Sequence, residues 1–112
     1  MERRREKRFN VVDLELFHKD RQDHVGTVIN ISRGGLLVNA TEEFKPEEQH
    51  SFSIPFVKTI NGEVKFDFKA TIVWCQPNPL APSAYSVGME FTENPDLQTM
   101  FIQQMVKIYG DN

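Results

Sequence analysis

With 112 residues, 39% of them hydrophobic and 26% charged, the chain suffices for one domain with its own core, is too short for two, and does not have a disordered or collagen-like composition. Its single cysteine, Cys75, excludes an internal disulfide and a Cys-built zinc site and fits a reducing compartment. The net charge of −3 is uneven: residues 1–8 carry five of the 13 Lys and Arg and two of the 16 Asp and Glu, leaving an acidic body with eight basic and 14 acidic residues.

Five cations at one end of an acidic body point to a small, concentrated anion. A long nucleic acid needs a broad basic face, which the rest of the chain does not supply. The basic start is not followed by the apolar segment of a signal peptide, and no stretch approaches the roughly 20 apolar residues of a membrane span. Neither export nor membrane insertion is expected, and a cytoplasmic location is.

After a flexible arginine-rich arm, residues 1–9, a single domain is expected over 10–112. Val12, Leu14 and Leu16 alternate with Asp13 and Glu15 as in a half-buried strand. The polar run His18–His24 reads as a solvated hairpin connection, a better account of His18, Asp20, Asp23 and His24 than a metal site. Val25–Ser32 is a second strand, broken by Gly34 and Gly35 before Leu36-Leu37-Val38. Residues 42–49 read as a surface loop, and Ser51–Val57 as a strand interrupted or ended by Pro55.

Residues 63–75 give the longest strand signal. Val64, Phe66, Phe68, Ala70, Ile72 and Trp74 fall on one face by period two. Pro77, Pro79 and Pro82 make a loop, and Tyr85–Thr92 a last strand. Asn94 and Pro95 then start a helix whose stripe of Leu97, Phe101, Met105 and Ile108 faces the barrel, with Gly110 as its stop. About six antiparallel strands in so short a chain favour a closed barrel, since closure removes exposed edges. Cys75 reads as structural.

Arg4 and Arg8 form an Arg-x-x-x-Arg pair flanked by Arg3 and Arg5, and Asn30-x-Ser32-x-x-Gly35 follows about one strand-turn-strand later. Together with the Tyr85-Ser-Val-Gly-Met-Glu-Phe91 ending and the closing helix, this pattern resembles the PilZ family over nearly the whole chain. The resemblance implies a mainly β fold, a six-stranded antiparallel barrel with a C-terminal helix. It also implies a cyclic di-GMP receptor or adaptor that passes the signal to an output protein. Carried over residue by residue, Arg4, Arg8, Asn30, Ser32 and Gly35 are the ligand-binding positions, with the arm folding over the nucleotide and the second motif forming the barrel-side wall. The residue before the arginine pair, here Arg3, is implied to influence whether one nucleotide or a stacked pair is held.

The chemistry of these residues agrees with that role. Cyclic di-GMP presents two phosphates and two guanines; guanidinium pairs bidentately with phosphate or with guanine O6 and N7, and stacks on bases. Asn30 and Ser32, two apart on a strand, point to one side and offer an amide and a hydroxyl. Gly34 and Gly35 permit positive φ and close approach of backbone amides. Trp74 sits where an indole could stack on a guanine, although its register with Phe66 and Phe68 favours core packing. Taken alone, the arginine run reads as solvated and the Gly-Gly pair as a turn.

Two other functions fit parts of the pattern. One is a PilZ-like protein-interaction module that binds no nucleotide; the other is a basic-armed barrel binding RNA or single-stranded DNA. An enzyme is not expected, because no nucleophile or acid–base constellation stands out. No cofactor or metal is called for beyond the nucleotide itself.

Overall fold

Alternating apolar and polar residues let a sheet roll up on its apolar face, and the chain does this almost throughout. The computed structural model describes residues 8–57, 63–81, 83–92 and 95–110. Its elements are β1 (Phe9–Asn10), β2 (Glu15–His18), β3 (His24–Ile31), β4 (Gly35–Ala40), β5 (Gln49–Val57), β6 (Glu63–Pro77), β7 (Tyr85–Phe91) and α1 (Pro95–Tyr109). The strand order is β1-β3-β2-β5-β6-β7-β4, and a further β3–β4 pairing closes the sheet. Strands β2 to β7 thus form the six-stranded antiparallel barrel expected from the sequence, with the short β1 added along β3.

Inward-facing residues from every barrel strand meet in one core, among them Leu16, Val28, Val38, Phe52, Phe66, Ile72 and Val87, each no more than 2% exposed. Burying a side chain of this kind stabilises the fold by about 1.5–3 kcal/mol. Stacked and edge-on rings join β5, β6 and β7, with Phe66 and Phe68 at 4.9 Å and Phe68 and Phe91 at 5.2 Å between centroids. Phe44, from the loop read as surface, is also buried here, and its backbone N–H reaches the Cys75 sulfur at 3.5 Å.

Several expectations change. Asp13 takes a positive φ of 61°, so the Val12–Leu16 alternation breaks and β2 starts only at Glu15; Val12 is left 49% exposed. His18 is not solvated. It is buried against Phe44 and Phe52, with its Nε2 2.9 Å from a Glu42 carboxylate oxygen. Pro55 neither interrupts nor ends β5, because it lies beyond the two residues paired with β2, Phe52 and Ser53, where a missing N–H breaks no ladder on that side. β1 begins at Phe9, the last residue assigned to the arm.

The helix buries Ile102 and Met105, with Val106 and Tyr109 packed beside them. Ile108, placed on the buried stripe by spacing, is 41% exposed instead. The side chains of Leu97 and Phe101, the cap Asn94, and Pro82 lie outside the described residues. Gly110 does stop the helix, its N–H bonding the Val106 carbonyl at 2.8 Å. The helix end is also tied to the start of the barrel: Val11 pairs with Gly110, and the Val12 N–H donates to the Tyr109 carbonyl at 3.1 Å. No helix among the described residues is long and apolar enough to cross a membrane.

Candidate functional site

The turn after β3 is built around one hydroxyl. Ser32 is 3% exposed, and its Oγ accepts hydrogen bonds from the backbone N–H groups of Gly34 at 3.2 Å and Gly35 at 3.3 Å. The same hydroxyl lies 3.4 Å from the Gly35 carbonyl, which also accepts the Ser32 N–H at 2.9 Å. Ser32 therefore clasps the turn from inside instead of offering its hydroxyl to solvent beside Asn30, and the two glycine amides are already engaged.

Gly35 is required for a different reason from the one read in the sequence. It does not take the left-handed conformation; a Cβ there would lie 2.0 Å from the Met89 carbonyl oxygen of β7. The absent side chain lets β4 lie tight on β7, which positions the turn between them.

Asn30 and Trp74 reach the surface by the same device. In β3, Val28 faces the core, and plain alternation would send Asn30 inward too. A bulge between Val28 and Asn30 adds Ile29 to the count, so Ile31 turns inward and Asn30 outward. In β6 a bulge between Ile72 and Trp74 adds Val73 in the same way. Trp74 leaves the Phe66–Phe68 face and stands 38% exposed, which overturns the core-packing reading. Bulges re-aim side chains in this manner beside functional sites.

These groups converge. Arg8, Asn30, Ser32, Gly34, Gly35, Leu37, Val73, Trp74, Gly88 and Glu90 are among the residues lining one open cleft of about 360 Å³. The exposed Arg8 guanidinium donates to Asn30 Oδ1 at 2.8 Å, so the Asn30 amide turns its oxygen toward Arg8. The Trp74 indole covers Gly88 so closely that a Cβ at Gly88 would sit 2.4 Å from its Nε1. All six described residues predicted for the site thus share one cleft, while Arg3, Arg4 and Arg5 lie outside the described residues.

Sequence reasoning missed Leu36, Leu37, Val73, Gly88, Met89 and Glu90. A glycine inside the apolar strand Val87-Gly88-Met89 was the available signal, because such a residue marks the close approach of another group. Among the described residues no group of three or more His, Cys, Asp or Glu is placed to hold a metal ion. The cleft offers a planar cation, an amide edge and a half-exposed aromatic face, with the Glu90 carboxylate also on its wall, a combination that suits a flat, polar ring system.

A family model for the PilZ domain matches residues 2–107. The chain belongs to the PilZ family. Solved PilZ structures share its fold. The PilZ domain of YcgR from Escherichia coli, with c-di-GMP, has a TM-score of 0.68 at 12% identity, covering 96% of this chain and 92% of its own. The Bacillus subtilis inhibitor of motility, MotI/DgrA, gives 0.71 at 18% identity over 96% of this chain. The K. pneumonia MrkH–c-di-GMP complex gives 0.65 at 16% identity, again over 96%. This PilZ chain spans about half the length of the MotI/DgrA and MrkH chains, 51% of each. No curated protein matches the sequence.

Proposed function

We propose that this PilZ domain is a receptor for cyclic di-GMP. The observation that carries the reading is the cleft itself: a guanidinium bonded to Asn30 lies in the same cleft as the exposed indole of Trp74. Arg8 supplies a bidentate donor for phosphate or for the guanine O6/N7 edge, and Trp74 a stacking surface for a base. Family membership and the nucleotide named in the YcgR and MrkH structures support this choice over a flat anion of another kind.

Arg3, Arg4 and Arg5 close over the bound nucleotide from the arm, and ordering of the arm alters a surface read by an output protein. The domain acts as a cytoplasmic adaptor and not as an enzyme. The test is calorimetric titration with cyclic di-GMP beside GTP and cyclic GMP. Micromolar or tighter binding of the cyclic dinucleotide, with the monomeric nucleotides much weaker, is the expected result. No heat with the cyclic dinucleotide at several hundred micromolar would refute the reading.

Stoichiometry follows from the arm. A stacked pair of nucleotides brings four phosphate charges together, and Arg3, Arg4, Arg5 and Arg8 offset their repulsion. Two nucleotides per chain are therefore expected, shifting toward one in Arg3→Leu. One nucleotide per parent chain at saturation would remove the stacked pair and leave the receptor assignment intact.

A further inference from the structure

Glu90 puts a negative charge on the wall of a cleft proposed to take an anion. Its place follows from the alternation of β7. Val87 and Met89 are buried in the core, so Gly88 and Glu90 share the outer face, Gly88 under the indole and Glu90 exposed. In the ladder Glu90 stands between Gly35 of β4 and Thr71 of β6, while Gly88 stands between Leu37 and Trp74. The Glu90 side chain therefore rises beside the Gly34–Gly35 turn, about 7 Å along the strand from the glycine that the indole covers.

No hydrogen bond or ion pair among the described residues engages that carboxylate. Arg8, in the same cleft, bonds Asn30, and Lys69, two residues before Thr71 on β6, makes no ion pair with Glu90. A carboxylate accepts hydrogen bonds and donates none. It repels the phosphates of cyclic di-GMP and faces lone pairs on guanine O6 and N7, all of which suit arginine. The groups that satisfy it are the ribose hydroxyls, which are single donors, and the guanine edge that carries N1–H and N2–H side by side. Two parallel donors match two carboxylate oxygens, the fork geometry in which a carboxylate also takes arginine. Trp74 offers a stacking face in the same cleft, and enzymes that read a single base combine stacking with hydrogen bonds to this edge.

Resting on the cyclic di-GMP reading, we propose that Glu90 is the residue that selects guanine. Its carboxylate accepts the N1–H and N2–H of a guanine stacked on Trp74, which leaves O6, N7 and the phosphates to Arg8 and the arm. Adenine cannot take this place, because its N1 is an acceptor and its C2 carries no amino group. The same charge keeps phosphate off the β7 side of the cleft, so Glu90 sets the direction in which the ligand lies as well as its base.

The test is calorimetric titration of the full chain, and of Glu90→Ala and Glu90→Gln, with three ligands. These are cyclic di-GMP, cyclic di-IMP, which lacks only the 2-amino groups of the guanines, and cyclic di-AMP. In the parent, cyclic di-IMP should bind about tenfold or more weakly than cyclic di-GMP, the loss of a hydrogen bond to a charged acceptor, and cyclic di-AMP more weakly still. Glu90→Ala should weaken cyclic di-GMP by about tenfold or more and narrow its advantage over cyclic di-IMP by a similar factor. A residue that acts on the fold alone does not produce that coupling between one side chain and one ligand group. Glu90→Gln, whose amide both donates and accepts, should narrow the preference for guanine over adenine. Because the residue is exposed, both variants should keep the circular dichroism of the parent. Equal affinity of the parent for cyclic di-GMP and cyclic di-IMP would overturn the proposal and leave the receptor reading standing. So would an undiminished advantage in Glu90→Ala, or tighter cyclic di-GMP binding by that variant, the sign of a carboxylate that only repels phosphate. A parent that binds none of the three ligands would refute the receptor reading and this inference with it.

Discussion

Removing the Ser32 hydroxyl should act on the turn and only through it on the ligand. Ser32→Ala takes away the acceptor for two backbone N–H groups and one further polar contact, all at 3.2–3.4 Å. Gly34 is half-buried and its N–H can find solvent, but Gly35 is buried, and its N–H is left without a partner. An orphaned buried donor costs about 1–3 kcal/mol, and loss of the longer, weaker contacts adds a fraction of that, so about 2–3 kcal/mol is the sum. For a domain of this length such a loss lowers the melting temperature by roughly 8–15 °C. Thermal melts by circular dichroism measure the first quantity, and calorimetry well below the transition measures nucleotide affinity in the folded fraction. The expected pattern is a clear drop in melting temperature with affinity reduced only a few-fold at low temperature. An unchanged melting temperature together with a large loss of affinity would refute the reasoning and assign the hydroxyl to the ligand.

Arg8→Ala should weaken cyclic di-GMP by about tenfold or more in calorimetry, since a hydrogen bond to a charged group contributes roughly 1.5–3 kcal/mol; Arg8→Lys should recover little, because an ammonium cannot reproduce the planar fork. Trp74→Ala should cost about 1–3 kcal/mol of binding, the usual range for one stacked base. As Trp74 is the single tryptophan of the chain, its fluorescence should also change on nucleotide addition in the parent. Gly88→Val places side-chain atoms where the indole lies and should push Trp74 off its strand; loss of both that fluorescence response and affinity, with the circular dichroism of the barrel retained, is the expected result.

The barrel was legible because period-two alternation is a strong signal wherever one face is buried, as in Phe66-x-Phe68-x-Ala70-x-Ile72. What escaped were the places where the period slips by one. Nothing in Val28-Ile29-Asn30 or Ile72-Val73-Trp74 announces an extra residue, because the bulge is decided by the partner strand, and only pairing with β4 and β7 reveals it. The same limit hid the burial of Ser32. From composition it is a polar residue two positions after Asn30; its inward turn follows from β3 ending at Ile31. Asp13 was misread for a local reason, since an Asp in the left-handed region ends a strand that hydrophobicity alone would continue. His18 lost its solvent to Phe44, brought over it by a loop whose polar composition hides one anchoring ring.

The tie between Val11–Val12 and the end of α1 makes the cap of the helix depend on the chain that leads into the barrel. Only two residues separate Arg8, which reaches into the cleft, from Val11, which bridges to Gly110. The Val12 N–H holds the Tyr109 carbonyl, one of those that a helix cannot satisfy from within its last turn. A shift of the strand base by even one ångström would lengthen that bond and leave the carbonyl to find water. The last turn of the helix, bearing the exposed Ile108, is thus bonded directly to the strand base that follows Arg8, and the packing of that apolar residue depends on where the strand base lies.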